Sequence, residues 1–476
     1  MLKPPGVVVV GYALLLAALI AGSRVQRVGD AGEYMAMALN LSAFQPPSLS
    51  PADIARATAT FRAIGSGYEV VPLDMPALRG ADGRQDLPHF WLYSLFAVPA
   101  LWIVSSAGWH PNHAFTAVNL LFLIAAATAV SRRVPASAAW LLMAAPIVWW
   151  SDKATNDAVT FSLLAIAFAR LERSPGSSLA ALGTSAALNP ALGVVCLLAA
   201  VFVLSRGPIV WRDHRLWAGA VAGAAIALLP VAYYERRLGV PSPLFGWTSP
   251  HAPEARELAA FLIDPNLGLL IWFPLLVPAL AVTLVGRPRP TAASIALAAA
   301  CSAALLCVFA QSTNINHGGT PSLNRWTLWL VPLTIPLFEP SSTLDPRSTV
   351  LGARSTVLIV LAVLSTIWTV VEFRPARAES YLEPSVLARY VWSAHPAWWN
   401  PPEEIFAERA SHREPPVVPA AIPGCAKALI VEGRWPAECA APAVVDERCV
   451  ALRSRCYANR AGAGYEYVKL RASRRR

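Results

Sequence analysis

Residues 179–205 read LAALGTSAALNPALGVVCLLAAVFVLS, a long run without a charged side chain, and arginines stand on both sides of it. A helix formed by such a run satisfies its own backbone hydrogen bonds in lipid. Similar apolar segments recur along the chain, which predicts an all-α polytopic membrane protein with about 10–12 transmembrane helices. The segments are residues 6–23, 90–108, 114–131, 135–150, 158–171, 179–205, 216–234, 267–286, 291–310, 326–337 and 357–371.

The composition agrees with lipid as the solvent. The 476 residues are 55% hydrophobic and 14% charged, whereas about a quarter of an ordinary soluble domain is charged. The net charge of +10 is concentrated in arginines at the ends of apolar segments and in the last residues, so it indicates membrane orientation. We expect membrane lipid, and no nucleic acid, as a partner.

The amino terminus fits two interpretations. Lys3 and the apolar stretch 6–21 resemble a secretory signal peptide. No good A-x-A cleavage site precedes Arg24, so we expect a retained first helix.

Arginine-rich breaks between apolar segments predict the topology, because such breaks stay on the cytoplasmic side. The rich breaks are Arg132 with Arg133, residues 170–173, residues 206–215, Arg287 with Arg289, and Arg347 with Arg354. The outside parts are then residues 152–157, 236–266 and 311–325 and the tail after Arg374. Residues 179–205 must then cross twice, as two short helices hinged at Asn189 and Pro190. An external first loop further requires that the segment 90–108 return to the side of the membrane from which it starts. Otherwise the number of crossings assigned to this segment is wrong.

Two long segments of the chain differ from the apolar segments in composition. Residues 24–89 form a large first external loop with a helix-compatible stretch at 51–64, which we expect to fold on the membrane surface. We therefore predict a transmembrane module at 1–373 and a small exported domain at 374–476. Its composition, rich in Pro, Glu, Arg and Trp, is that of a water-facing segment.

Four cysteines fall in this tail, namely Cys425, Cys439, Cys449 and Cys456. In an oxidising compartment we expect them to form two disulfides. Four cysteines permit three pairings, and we favour neighbours in sequence. Zinc is disfavoured because no C-x-x-C or nearby His pair is present.

The sequence Gly29-Asp30-Ala31-Gly32-Glu33-Tyr34 directly follows the first apolar segment. Asp30 and Glu33 are three residues apart, so a helix would place both carboxylates on one face. Beside a bilayer they cost free energy unless they are solvated or serve a function. One interpretation is a helix cap, with Asp30 as the capping residue and Glu33 at its third position. Such a cap is compatible with a catalytic pair.

This arrangement resembles the C-type glycosyltransferase (GT-C) superfamily, whose polytopic members use sugars linked to polyprenyl phosphate. The resemblance covers residues 6 to about 325. Members similar to protein mannosyltransferases and lipid A aminoarabinose transferases carry an acidic residue where the first external loop begins, and Asp30 matches it. They also have a Pro-containing entry to the second helix, which Leu87-Pro88-His89-Phe90 resembles. The tandem acidic pair of the protein mannosyltransferases is absent, which leaves protein as an acceptor open.

The resemblance implies roles for acidic residues. Asp30, with Glu33, would be catalytic, and Asp30 would act as general base toward an acceptor hydroxyl. In the segment 151–157, Asp152 or Asp157 would contact the acceptor or a metal, and Lys153 the donor phosphate. The alternative is a polar turn that joins two helices. Carboxylates suit magnesium or manganese, so a divalent cation is an optional cofactor.

The segment NHGGTPSLNRW, residues 316–326, stands at the end of an apolar segment. Its glycines permit close backbone approach, and Arg325 has a donor geometry that binds phosphate through two contacts. A similar pattern occurs in bacterial members of the superfamily, so we expect His317, Arg325, His89 and Lys153 to bind the donor phosphate. The alternative is an interfacial Arg and Trp that anchor a helix end.

The resemblance predicts an inverting enzyme of a bacterial plasma membrane, with its active site on the periplasmic or extracellular face. It would transfer a sugar from a polyprenyl-phosphate donor to an exported glycan, lipid or protein. A transporter or flippase of lipid-linked glycans is an alternative, although it would need polar residues inside the spans. A non-catalytic membrane scaffold with an exported binding tail is another. Trp398 and Trp399 would stack on sugar faces or anchor the tail.

Overall fold

The computed structural model describes the chain except for residues 1–3, 66, 69–77, 208–210, 245–247, 249, 287–288, 317–318, 321, 340–348, 415–416, 441–445, 451–452 and 471–476. Lys3, Arg287, His317 and Arg347, on which predictions above rest, therefore lie outside the described residues. The chain divides into two compact units. Unit 1 is Met1–Gly246, Leu275–Val308 and Leu328–Ala378, and unit 2 is Trp247–Pro274, Phe309–Thr327 and Glu379–Arg476.

Helices account for most of the regular structure. In chain order they are α1 (Pro4–Ala21), α2 (Ala31–Ser42), α3 (Pro51–Ile64), α4 (Leu92–Ser106), α5 (Asn112–Ser131), α6 (Ala136–Met143), α7 (Asp157–Arg170), α8 (Pro175–Leu188), α9 (Gly193–Leu204), α10 (His214–Leu238), α11 (Ala255–Ile263), α12 (Leu269–Trp272), α13 (Leu276–Val285), α14 (Ala292–Phe309), α15 (Leu330–Leu333), α16 (Thr349–Glu372), α17 (Val386–Ala394), α18 (Glu403–Ser411) and α19 (Glu447–Val450). Short 3-10 helices lie at Pro146–Asp152, Pro190–Leu192, Arg325–Trp329, Ile335–Leu337 and Pro423–Cys425.

Several helices of unit 1 have the length and composition of membrane spans. Those that could cross a membrane are Asn112–Ser131, His214–Leu238, Ala292–Phe309 and Arg354–Glu372. Shorter apolar helices lie at Pro5–Ala21, Leu92–Ser106, Pro190–Leu204 and Leu276–Val285. Their outer side chains, such as Val221 and Leu228, are exposed, and apolar surface of this kind is suited to lipid. These helices indicate a membrane protein.

The break predicted in residues 179–205 is confirmed. α8 ends before Asn189, whose side-chain oxygen accepts a hydrogen bond from the backbone nitrogen of Ala191 at 3.0 Å. The chain then forms the 3-10 turn Pro190–Leu192 before α9 begins. Pro190 lacks a backbone N–H, so a continuous helix is interrupted here.

The helix predicted in the first loop is also confirmed as α3, with the same bounds. Ser50 and Asp53 form a capping box at its amino terminus. Asp53 further binds Arg84 at 2.9 Å, and this ion pair ties α3 to the later part of the loop.

Glycines bring α8 and α10 into backbone contact. A Cβ atom added at Gly183 would lie 2.1 Å from the carbonyl oxygen of Gly223, and one at Gly219 would lie 2.1 Å from that of Gly176. Small residues four positions apart let membrane helices approach closely and pack through dispersion contacts. This contact fixes α10, whose carboxyl-terminal end reaches the candidate site described below.

Unit 2 contains an antiparallel sheet of four strands in the order β1 (Ala420–Ala421), β2 (Lys427–Val431), β3 (Arg455–Ala461) and β4 (Gly464–Leu470). Leu429 and Tyr457 pack on one face with α17 and α18, whereas Ile430 and Cys456 pack on the other. The alternation follows from the two-residue period of a strand. The sheet lies in the predicted tail domain, whose secondary structure was not predicted from the sequence.

The tail cysteines form two disulfides, Cys425–Cys439 and Cys449–Cys456. The predicted pairing of neighbours in sequence is therefore confirmed. Cys196, Cys301 and Cys307 lie in helices of unit 1 and form no disulfide.

Candidate functional site

The candidate site begins at the amino terminus of α2. Asp30 occupies the N-cap position, but its side chain makes no capping hydrogen bond. Its backbone oxygen accepts from the nitrogens of Glu33 and Tyr34 at 3.0 and 3.3 Å. The capping interpretation thus holds for the position of Asp30, while its carboxylate is turned to another partner.

That partner is His89, in the loop before α4. Its Nε2 lies 3.0 Å from Asp30 Oδ2, and its Nδ1 lies 2.5 Å from Glu33 Oε2. The side chains are 15% exposed in His89, 23% in Asp30 and 13% in Glu33. We call these three residues the acid–imidazole cluster. It joins the start of α2 to the loop before α4, which lies more than fifty residues later in the chain.

Electrostatics make His89 the cation of the cluster. Burial lowers the pKa of His89, but the charges and hydrogen bonds of Asp30 and Glu33 outweigh burial and raise the pKa to about 10. The imidazole is therefore protonated at neutral pH, and both of its N–H groups donate to carboxylates. This geometry favours a positioning role for His89 over the phosphate contact predicted from the sequence.

The end of α10 holds the loop that carries His89. The Tyr234 hydroxyl donates to the His89 carbonyl oxygen at 3.0 Å. Asp86 accepts from the Tyr233 hydroxyl at 3.0 Å and from Arg237 Nε at 2.8 Å. None of these α10 residues was predicted from the sequence. Their signal is a pair of tyrosines and an arginine at the end of an apolar segment.

The predicted turn at 152–157 is buried and bonded to its surroundings. Lys153 Nζ donates to the Pro375 carbonyl oxygen at 2.7 Å and lies 3.0 Å from Asp152 Oδ1. The Ser23 hydroxyl donates to Asp152 Oδ2 at 2.5 Å. These contacts favour the polar-turn interpretation for Lys153, because protein acceptors engage its ammonium group. Asp157 is buried as the first residue of α7.

A row of contacts links the acid–imidazole cluster to this turn. The ring of Tyr34 lies 5.2 Å from that of His89 and 5.1 Å from that of Tyr93. The Tyr93 hydroxyl donates to Asn119 Oδ1 at 2.9 Å. Asn119 Nδ2 donates to the Lys153 carbonyl oxygen at 2.7 Å. Two segments that the sequence singled out therefore belong to one connected polar region of unit 1.

The segment 316–326 belongs to unit 2, where α18 anchors it. Asn316 Nδ2 donates to Glu408 Oε2 at 2.8 Å, and Asn316 Oδ1 accepts from Arg409 Nε at 2.9 Å. Glu404 Oε1 accepts from the backbone nitrogens of Ile315 and Asn316 at 2.8 and 3.2 Å. Burial raises the pKa of Glu408 to about 7. Asn316 therefore fixes this loop within unit 2.

Arg325 is partly buried and begins the 3-10 helix Arg325–Trp329. It lies in unit 2, whereas the acid–imidazole cluster lies in unit 1. The phosphate contact of Arg325 stays a prediction. His317 and Gly318, which would share that role, fall outside the described residues.

The loop at 264–266 is held in the same unit by residues of the tail. Asn266 Oδ1 accepts from the Ser385 backbone nitrogen at 3.0 Å. Trp399 Nε1 donates to Asp264 Oδ2 at 2.6 Å. Trp399 is thereby tied to the interior, while its neighbour Trp398 is exposed.

Over the described ranges, no group of three or more His, Cys, Asp or Glu side chains is arranged to hold a metal ion. In the acid–imidazole cluster both ring nitrogens of His89 already face carboxylate oxygens. Magnesium or manganese as a cofactor stays a prediction.

Comparison of the chain with protein-family models, with curated proteins and with solved structures gives no match. The resemblance to the C-type glycosyltransferases therefore stays a prediction that rests on the motifs in the sequence.

Proposed function

We propose that the protein is a membrane glycosyltransferase in which the acid–imidazole cluster is the catalytic centre. The observation that carries the proposal is the convergence of Asp30, Glu33 and His89 on one another at the start of α2. Paired carboxylates with a positioned imidazole are suited to general-base chemistry. The polytopic architecture suits a donor with a long lipid tail. The donor would be a sugar on polyprenyl phosphate, and the acceptor an exported glycan, lipid or protein.

Asp30 is the proposed base because it is the most exposed member of the cluster. As the acceptor oxygen forms its bond to the anomeric carbon, the bond from that carbon to the phosphate oxygen breaks. The hydroxyl proton passes to Asp30, and the electron pair of the broken bond leaves with polyprenyl phosphate. Attack opposite the leaving group inverts the anomeric carbon.

His89 and Glu33 would serve as positioning residues. The imidazolium orients the Asp30 carboxylate, and Glu33 balances the charge of the imidazolium. A carboxylate can serve as the base, because the acceptor hydroxyl becomes much more acidic as its bond to carbon forms.

The donor-phosphate role of Arg325 is retained from the sequence prediction, while His89 and Lys153 are engaged by protein acceptors. The guanidinium fork suits two contacts to phosphate oxygens. The acceptor contact of Asp152 or Asp157 stays a prediction from the sequence. The same proposal includes about 10–12 membrane crossings and an active site on the periplasmic or extracellular face of a bacterial plasma membrane.

The test is turnover by Asp30→Asn in nanodiscs. The purified protein is given a panel of polyprenyl-phosphate-linked hexoses, pentoses and aminopentoses, with envelope glycan and lipid extracts as acceptors. Released polyprenyl phosphate is measured by mass spectrometry. We expect Asp30→Asn to lose about 10²- to 10⁴-fold in rate. Glu432→Gln is the matched control, since this carboxylate is exposed and forms its ion pair with Arg434. Normal release by an Asp30→Asn protein that accumulates normally would overturn the assignment.

The alternative candidate is a transporter or flippase of lipid-linked glycans. Such a transporter would move labelled lipid-linked glycan across proteoliposomes and would release no polyprenyl phosphate. A scaffold, by contrast, would keep its cellular role in Asp30→Asn.

A further inference from the structure

Helix α17 of unit 2 is apolar on two faces. Ala388, Val391 and Trp392 face inward and are buried in the core beside the sheet. On the other side, Val386 is 72% exposed and Tyr390 is 56% exposed. A surface helix normally turns its polar side outward. Arg389 and Ser393 are exposed on this side as well, but Val386, Leu387 and Tyr390 make much of it apolar.

Aromatic rings extend this apolar face beyond the end of the helix. The imidazole of His395 stacks on the indole of Trp398, with ring centres 3.8 Å apart and planes 6° apart. The Tyr390 hydroxyl and His395 Nε2 are 3.3 Å apart. Trp398 is 69% exposed, so one side of the indole is supported and the other is open. We call Val386, Leu387, Tyr390 and Trp398 the α17 outer face.

We propose that the α17 outer face lies in the headgroup region of the membrane that the helices of unit 1 span. Its residue types are those of an interfacial helix, in which aliphatic side chains enter the bilayer and tyrosine and tryptophan lie at its boundary. Arg389 is exposed on the same helix and suits anionic lipid phosphates.

The chain also limits the distance between α17 and the candidate span that precedes it. The candidate span Arg354–Glu372 ends only a short distance before Val386. Fully extended, the residues between them would reach at most about 50 Å. Part of that length is taken up by a turn, because the Arg377 nitrogen donates to the Arg374 oxygen. A helix tethered in this way to a span meets a lipid surface at high local concentration.

Two other occupants fit less well. A glycan would stack on Trp398 but would also need hydrogen-bonding groups for its hydroxyls, whereas Val386 and Leu387 supply aliphatic surface. A second copy of the chain would need a matching surface, and the lipid surface is present around every copy. The proposal is independent of the catalytic function, because it requires no turnover.

Spin labels measure this contact directly. Single cysteines replace Val386 and Tyr390 in a background in which Cys196, Cys301 and Cys307 are replaced by serine. The labelled full chain is placed in nanodiscs that contain phosphatidylglycerol. Collisions with oxygen and with a water-soluble nickel chelate then give the depth of each label. The control label replaces Arg434, which is exposed on unit 2.

We expect the labels at positions 386 and 390 to lie about 5–10 Å into the boundary between headgroups and acyl chains, shielded from the nickel chelate. The label at position 434 should be open to it. Nickel accessibility at 386 and 390 equal to that at 434 would overturn the proposal. If the labels are exposed to water and become immobile only when an oligosaccharide is added, the face is a glycan site and the proposal is overturned. Spin–spin broadening with shielding that depends on protein density would indicate a second copy and would likewise overturn it.

Discussion

Replacing His89 should remove a large, pH-dependent part of the stability of the protein. The pKa of this histidine is lowered by burial and raised more strongly by Asp30 and Glu33, from the usual 6.5 to about 10. Because the folded state binds the proton more tightly, the resulting stabilisation is complete below pH 6.5. It is lost as the pH rises through 10. At pH 7 the difference corresponds to about 4 kcal/mol, and His89 is too little exposed for solvent to screen most of it.

The variant His89→Gln leaves Asp30 and Glu33 close together without their cation. Removing one member of a buried ion pair costs about 3–5 kcal/mol, which agrees with the value from the pKa. The additional change Glu33→Gln should restore part of the loss, because it removes the repulsion between the two carboxylates.

The assay is thermal unfolding in nanodiscs between pH 6 and pH 10.5, followed by the intrinsic fluorescence of the 17 tryptophans. The difference in unfolding temperature between wild type and His89→Gln should be largest at pH 6–7 and should disappear toward pH 10. His214→Gln is the control, since His214 is exposed at the start of α10. A gap that does not change with pH, or no gap at pH 7, would refute the proposed ionic role of His89.

Two further predictions concern packing and covalent links. Gly183→Ala should lower stability by about 1–3 kcal/mol, because the new methyl group would meet the Gly223 carbonyl oxygen at 2.1 Å, whereas Gly22→Ala meets nothing within 4 Å. Unfolding temperatures of the two variants check this, and equal temperatures would contradict it. Replacing both cysteines of the Cys425–Cys439 disulfide by serine should cost unit 2 about 3 kcal/mol, and replacing those of Cys449–Cys456 slightly less, because the second loop is shorter. Mass spectrometry of unreduced peptides tests the disulfide pairing, and a link between one cysteine of each pair would contradict it. Denaturant unfolding measures the loss of stability in each variant.

Features that depend on neighbouring residues could be predicted from the sequence. The break at Asn189 and Pro190 follows from the missing N–H of proline. Helix α3 follows from the N-cap Ser50, from Pro51 at the first helical position and from Asp53 at the third. The disulfide pairs join cysteines that are close along the chain. In each case the deciding contact spans few residues.

Features that depend on distant partners could not be predicted in detail. His89 was recognised as a site residue, but its contact with both Asp30 and Glu33 is a tertiary one. Lys153 was expected in an external loop, yet it is buried against the carbonyl oxygen of Pro375, far along the chain. The strands of the tail are short and carry arginine, glutamate and lysine, so their alternation is weak in the sequence.

The discontinuous make-up of unit 2 has a consequence for biosynthesis. Two of its three segments are translated before the last candidate membrane helix, and the third is translated after it. Asn316 and Asn266 must therefore wait for Arg409 and Ser385 to emerge before their hydrogen bonds can form. A premature stop codon near residue 380 would leave both early loops without these partners, so a defect late in the chain would damage a part of the protein made much earlier.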